Sequence, residues 1–95
     1  MRACSVSTAQ RVREVLEGVV NNGTGYEAQV SGVQVAGKTG TAELNDGNNY
    51  WFVGMAPSSN ASVVVAIVIE KGTDGIAATR AKNVIQTALE VQSIL

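Results

Sequence analysis

The residues best suited to chemistry in this sequence form one short run, Lys38-Thr39-Gly40-Thr41. Lys38 supplies a positive charge, and the hydroxyls of Thr39 and Thr41 can each donate a hydrogen bond. Gly40 has no side chain, so another chain can approach the backbone closely there. If the run belongs to a strand with a free edge, an extended peptide could pair with that edge. We therefore predict that Lys38, Thr39, Gly40 and Thr41 bind a peptide that ends in a free carboxylate.

Residues 32–39 also satisfy the pattern of a phosphate-binding loop, a glycine followed by four residues and Gly-Lys-Thr. Such a loop needs a buried strand before its first glycine and a helix that begins near the lysine, so that helix amides face the phosphates. Residues 26–31 make a poor hydrophobic strand, and Gly40 with Thr41 opposes helix initiation at Lys38. The context favours a peptide-binding strand over a nucleotide site.

Two helices are expected to flank this strand. Ser7 and Gln10 form a capping-box pattern that predicts a helix over residues 8–22, and Gly23 is expected to end it in a left-handed conformation. A second helix, rich in alanine, is expected over residues 76–92. The first helix has an apolar stripe made of Val12, Val15, Leu16, Val19 and Val20. The apolar face of the second comprises Ala77, Ala81, Val84, Ile85, Ala88 and Leu89.

Three strands are expected between the helices. Period-two alternation places the first strand over residues 33–44, with Val33, Val35, Thr39 and Thr41 on one side. The remaining strands are expected over residues 50–56 and 62–70, after turns at 45–48 and 58–60. The predicted fold is therefore α+β, with a three-stranded antiparallel meander flanked by two helices.

The third strand carries a prediction of its own. Residues 63–69 are all apolar, which is the pattern of a strand covered on both sides and placed centrally in a sheet. In a three-stranded meander this strand lies at an edge, where its unpaired backbone groups would promote aggregation. We therefore expect residues 62–70 to pair with another strand, either from the remainder of a larger domain or from another copy of the chain.

With the elements in this order, the sequence resembles the class B, high-molecular-weight penicillin-binding proteins. Residues 36–43, Ala-Gly-Lys-Thr-Gly-Thr-Ala-Glu, look like the family's Lys-Thr-Gly motif, and residues 51–57 resemble the strand that follows it. The preceding helix with Gly23-Thr24-Gly25, the strand that ends at residues 69–72 and the last helix follow in the family's order. The chain is thus identified as the C-terminal part of a transpeptidase domain, with the serine β-lactamase-like fold.

This resemblance implies roles for the individual residues. Lys38 would act as an accessory catalytic residue in the proton-handling network of the two serine motifs. Thr39 and Thr41 would hold the terminal carboxylate, and the Thr41 amide would contribute to the oxyanion hole. The implied partners are a peptidoglycan stem peptide and β-lactams, without a cofactor, and Glu43 could line the site entrance. The implied location is the extracytoplasmic face of the bacterial cell membrane, with an anchor upstream of this segment.

The family's nucleophile motif, Ser-x-x-Lys, does not occur in these 95 residues. Thr79 and Lys82 have the spacing, but they follow the Lys-Thr-Gly strand, whereas the family's nucleophile precedes it. Ser58 and Asn60 match a Ser-x-Asn motif, again in the wrong order. The chain alone is therefore expected to be inactive, because a covalent intermediate needs an activated nucleophile.

Composition excludes several other classes of protein. With 45% hydrophobic and 16% charged residues the chain is expected to fold, and its net charge of -1 provides no basic stripe for nucleic acid. Cys4 is the single cysteine and histidine is absent, so an intrachain disulfide is impossible and a zinc or haem site would lack its usual ligands. No metal and no cofactor are expected. We also expect neither a signal peptide nor a membrane span within these residues.

Three functions stay open at the level of sequence. The first is a segment of a D,D-transpeptidase that crosslinks peptidoglycan, and the second is a non-catalytic peptide-binding or scaffold module of the same fold. The third is a nucleotide-binding protein with a phosphate loop. We carry the first forward, because it accounts for five elements in order.

Overall fold

The computed structural model describes residues 3–73 and 75–94. Its helices and strands are, in chain order, α1 (Val6–Asn22), a 3-10 turn (Tyr26–Ala28), β1 (Ala36–Leu44), β2 (Gly47–Ala56), β3 (Val63–Ile69) and α2 (Ile76–Ile94). The strands form one antiparallel sheet in the order β1-β2-β3. The predicted α+β architecture, a three-stranded meander with two helices, is confirmed.

Helix α1 begins two residues before the expected start at Thr8. Its N-cap is Ser5, whose hydroxyl accepts a hydrogen bond from the Thr8 amide at 3.1 Å. The predicted capping box at Ser7 and Gln10 is therefore wrong. Ser5 and Ser7 are both good N-cap residues, and sequence spacing alone does not decide between them.

The predicted end of α1 at Asn22 is correct, but the predicted reason is wrong. Gly23 has φ -116° and ψ -152°, which is extended backbone and not the left-handed region. Its amide donates to the Val19 carbonyl at 3.1 Å, and a Cβ atom at Gly23 would lie 3.0 Å from that oxygen. Close approach to the last helical turn, and not handedness, accounts for the glycine at this position.

Strand β1 begins at Ala36, three residues later than expected. Val33 lies outside the ladder and forms an isolated bridge with Val30, while the Gln34 carbonyl accepts from the Ser58 amide at 2.9 Å. The β1–β2 ladder ends in this region because Pro57, which follows β2, has no N–H to continue it.

The β1–β2 turn is shorter than the four residues expected. Leu44 pairs directly with Gly47, so the turn consists of residues 45–46 and Asn48 belongs to β2. Strand β3 is one residue shorter at each end than predicted, and α2 continues two residues beyond the expected end at residue 92. None of these shifts changes which side of a strand a residue occupies.

The hydrophobic core lies between α2 and one side of the sheet, which we call the helix-covered face. Phe52 is fully buried at its centre, and the α2 residues Ala81 and Ile85 are also fully buried. Space for the Phe52 ring comes from Gly37 and Gly54, where an added Cβ atom would lie 2.4 and 2.5 Å from ring carbons. The ring and these two glycines therefore fix the spacing of the middle of the sheet.

The opposite side of the sheet, which we call the open face, is largely uncovered by the described residues, and only its part near Ala36 lies close to Leu16 of α1. It comprises Lys38, Trp51, Val53, Val64 and Val68, which are all exposed, with Val64 at 74%. The residues of β3 are apolar on both sides, yet the described part of the chain packs against only one of these sides.

The helices also expose part of their expected apolar faces. Of the α1 stripe only Val20 is buried, while Val12 and Val15 are more than half exposed. On α2, Val84 is 46% exposed, so its expected place in the packed face is wrong. Neither helix, nor the 3-10 turn between α1 and β1, is long and apolar enough to cross a membrane within the described residues.

Candidate functional site

The run Lys38 to Thr41 lies in the middle of β1, at the edge of the sheet. Within the described part of the chain β1 pairs only with β2, with Lys38 opposite Val53 and Thr41 opposite Tyr50. Its outer edge is therefore available to an added strand. The phosphate-loop alternative is excluded, because Lys38 and Thr39 are inside a strand and no helix begins beside them.

Thr39 and Thr41 project from the same side of β1 and line one groove. The groove has a volume of about 390 Å³ and is bounded on its other side by Thr24 and Tyr26, from the loop after α1. Thr39 is half-buried and Thr41 is exposed. Two hydroxyl donors that face one groove are suited to an anionic group such as a carboxylate.

Lys38 points to the open face, away from the two threonines. It lines a second, smaller cavity of about 170 Å³ with Leu16 from α1 and Val53 from β2. Its ammonium group donates to the Thr39 carbonyl at 2.7 Å, and its side chain is exposed. The structure thus brings Thr39, Gly40 and Thr41 to one groove and places Lys38 on the opposite side of the strand.

The sequence did not predict one side-chain contact in this region. The Thr24 hydroxyl lies 2.6 Å from the Thr39 hydroxyl, although the two residues are fifteen positions apart. The only sequence signal was that Thr24 lies between two glycines, Gly23 and Gly25. The other residues singled out lie elsewhere: Glu43 is exposed near the end of β1, Phe52 is in the core and Trp51 is 45% exposed.

Two coincidental motif matches have structural roles. Ser58 is buried, and its hydroxyl donates to a Glu17 carboxylate oxygen on α1. The Thr79 hydroxyl donates to the Gly75 carbonyl at 3.1 Å. In residues 3–73 and 75–94 no three His, Cys, Asp or Glu side chains come together as a metal site would require.

Comparison with protein families gives one match that covers most of the chain. Residues 1–89 match the penicillin-binding protein transpeptidase domain. Stage V sporulation protein D of Bacillus subtilis is 44% identical over 78 residues, which are 73% of this chain and 12% of that protein. Penicillin-binding protein PbpB of Mycobacterium tuberculosis is 38% identical over 94 residues, covering 79% of this chain and 14% of that protein. The chain therefore spans a small part of these relatives.

Solved structures similar to this chain also come from penicillin-binding proteins and D,D-transpeptidase domains. The D,D-transpeptidase domain of a peptidoglycan glycosyltransferase from Eggerthella lenta is 60% identical with a TM-score of 0.92, and the match covers 100% of this chain and 23% of that one. Penicillin-binding protein A from M. tuberculosis, solved as an imipenem acyl-enzyme complex, is 32% identical with a TM-score of 0.80. That match covers 93% of this chain and 20% of the other.

Proposed function

The chain belongs to the penicillin-binding protein transpeptidase family, as a segment of a class B transpeptidase domain, and we propose that it supplies the substrate-binding strand of a peptidoglycan D,D-transpeptidase. Several relatives are named as peptidoglycan D,D-transpeptidases, including PbpC of Pseudomonas aeruginosa and PenA of Neisseria flavescens. In this proposal the activity belongs to the complete domain, of which these residues form one wall.

The single observation that carries the proposal is the position of β1. It is an edge strand, and the hydroxyls of Thr39 and Thr41 line one groove beside it. An extended stem peptide would pair with the free edge through backbone hydrogen bonds, and its terminal carboxylate would accept hydrogen bonds from the two threonines. Gly40 between them leaves room for the peptide backbone.

Lys38 would act on the other side of the strand. The ion pairs among the described residues are Arg13–Glu17 and Lys71–Asp46, so the charge of Lys38 is not neutralised by a carboxylate there. We propose that the open face around Lys38 is covered by the remainder of the domain, which carries the two serine motifs. The Lys38 ammonium would then stabilise the protonation states that these serines need.

The proposed chemistry is acyl transfer through a serine of the remaining domain. The serine oxygen attacks the carbonyl before the terminal residue of the stem peptide, an ester forms, and the terminal amino acid leaves with a proton on its amine. The amine of a second stem peptide then takes the acyl group and releases the serine. The Thr41 amide would donate to the oxyanion that forms in each step, which is where donors contribute most to the rate.

The same site would accept β-lactams, because they present a carboxylate and a reactive carbonyl to the same groups. A structural relative, penicillin-binding protein A, was solved as an imipenem acyl-enzyme. We also propose that the site acts at the extracytoplasmic face of the cell membrane, where peptidoglycan is crosslinked. An anchor for the parent protein would lie outside these residues.

The test is a comparison of the complete transpeptidase domain, made from the longer reading frame, with the 95-residue chain. A Ser-x-x-Lys motif upstream and covalent labelling of the complete domain by a fluorescent penicillin would support the proposal. A parent without that motif, or a complete folded domain that takes no label, would favour the non-catalytic peptide-binding module instead.

A further inference from the structure

The closest polar contact to the proposed carboxylate site comes from outside β1. The hydroxyl oxygens of Thr24 and Thr39 are 2.6 Å apart, and both residues line the groove that also contains Thr41. Each hydroxyl has one hydrogen to donate and lone pairs to accept. One hydrogen bond therefore joins the loop after α1 to the strand that would bind substrate.

The chemistry of the ligand decides the direction of this hydrogen bond. An ionised carboxylate only accepts hydrogen bonds, so the Thr39 hydroxyl must give it its single hydrogen. Thr39 then has only lone pairs to offer Thr24, and Thr24 must be the donor. A hydroxyl that accepts one hydrogen bond donates a second one more strongly, because the two polarise each other. Thr24 would thus both orient and strengthen the Thr39 donor.

Thr24 is held in place by its two glycine neighbours. The amides of Gly23 and Gly25 both donate to the Val19 carbonyl, at 3.1 and 3.0 Å, so the loop is tied to the last turn of α1. An added Cβ atom at Gly25 would lie 3.2 Å from the ring of Phe52, which is the register partner of Thr39. The loop therefore passes close to the Phe52 side chain beside Thr39, and the missing side chain of Gly25 leaves room for this approach.

We propose that Thr24 is a positioning residue that donates to the Thr39 hydroxyl and so directs the Thr39 hydrogen towards the substrate carboxylate. The inference rests on the proposed function, since it requires Thr39 to bind a carboxylate. Without the Thr24 hydroxyl, the Thr39 O–H bond is free to rotate and one neutral hydrogen bond is lost. The rate of acylation should therefore fall by about 3- to 10-fold.

The test uses the complete transpeptidase domain and two ligands, benzylpenicillin and its methyl ester. The variants are Thr24→Val, which removes the hydroxyl at nearly constant shape, and Thr24→Ser, which keeps it. Thr87→Val is the matched control, because Thr87 is an exposed residue of α2 that lies outside the groove. We expect Thr24→Val to slow acylation by benzylpenicillin about 3- to 10-fold and acylation by the ester less than about 2-fold. Thr24→Ser and the control should stay close to wild type with both ligands.

A Thr39→Val background gives an independent check. If Thr24 acts through Thr39, adding Thr24→Val to Thr39→Val should cause no further loss for benzylpenicillin. Thr24→Ala serves the same comparisons should the valine variant fail to fold.

Three results would overturn the inference. The first is a Thr24→Val domain that reacts with benzylpenicillin at the wild-type rate. The second is an equal loss of acylation rate with benzylpenicillin and with its methyl ester. The third is a loss from Thr24→Val that adds to the loss from Thr39→Val in the double variant. Each leaves the proposed function intact provided that the wild-type domain is acylated. A wild-type domain that benzylpenicillin does not acylate would overturn the proposed function and this inference together.

Discussion

Ser58 and Glu17 are 41 positions apart in the chain, and the Ser58 hydroxyl donates a hydrogen bond to the Glu17 carboxylate. Ser58 is 6% exposed and lies in the loop after β2, whereas Glu17 lies on α1. The Ser58 amide also donates to the Gln34 carbonyl just before β1. One serine therefore ties α1, the approach to β1 and the β2–β3 loop together, and this structural role agrees with the interpretation of its match to Ser-x-Asn as accidental.

Replacing Ser58 with alanine should lower the free energy of unfolding by about 1–2 kcal/mol, because it leaves a partly buried carboxylate without its donor. Ser59→Ala is the matched control. Ser59 is exposed, so its loss should change stability by no more than about 0.5 kcal/mol. Urea denaturation of the folded chain measures both values, and equal stabilities for the two variants would contradict the role given to Ser58.

The 95-residue chain should not be acylated by penicillin, because a covalent intermediate needs an activated nucleophile and no Ser-x-x-Lys motif occurs in these residues. The measurement is incubation with a fluorescent penicillin followed by denaturing electrophoresis, with the complete domain as the positive control. A label that survives denaturation and maps to a serine or threonine of this chain would refute the assignment of the nucleophile to the remainder of the domain.

The β3 edge should bring about association of the isolated chain. Its backbone groups on the outer side have no strand partner among the described residues, and Val64 is 74% exposed on the open face. Light scattering should reveal a species larger than a monomer. Amide hydrogen exchange should show that the β3 amides are protected. A monomer whose β3 edge amides exchange rapidly would rule the association out.

The variant Val64→Lys should reduce that association, because a charge on an edge strand opposes pairing with another chain. Val84→Lys on α2 is the matched control, since Val84 is 46% exposed but lies outside the sheet. The prediction fails if both lysine variants associate as strongly as the unmodified chain.

In the complete domain, Lys38→Ala should slow acylation by about 10²- to 10³-fold, the usual loss for one electrostatic contact at a reacting centre. Glu43→Ala should change the rate little, because Glu43 is exposed near the end of β1. Stopped-flow acylation rates of folded variants provide the comparison. Equal acylation rates for Lys38→Ala and wild type would contradict the proposed role of β1 in the active site.

Two substitutions at Thr41 separate its hydroxyl from its amide. Thr41→Val removes the hydroxyl and keeps the amide, so the loss of acylation rate should be smaller than for Lys38→Ala. Thr41→Pro also removes the N–H proposed for the oxyanion hole, and it should be slower than the valine variant. The same stopped-flow series measures both, and a proline variant that folds and reacts as fast as valine would exclude the amide from this role.

The sequence alone determined the order and type of the elements and the position of Lys38-Thr39-Gly40-Thr41 within a strand. These properties depend on local patterns, namely the alternation of side chains in strands and the helical spacing of apolar residues. Local ambiguity explains the errors at boundaries. Ser5 and Ser7 are both suitable caps, and the start of β1 depends on Pro57, which is about twenty residues away in the sequence.

Only the tertiary structure decided which side chains meet across the sheet and the loops. Thr24 reaches Thr39 from the loop after α1, which passes close to Phe52, and Ser58 reaches Glu17 across 41 residues. The structure also left the apolar residues Val12, Val15 and Val64 exposed, although their spacing predicted burial or pairing. Such contacts depend on how separate segments pack in space, and periodicity along one segment carries no information about which other segment will cover it.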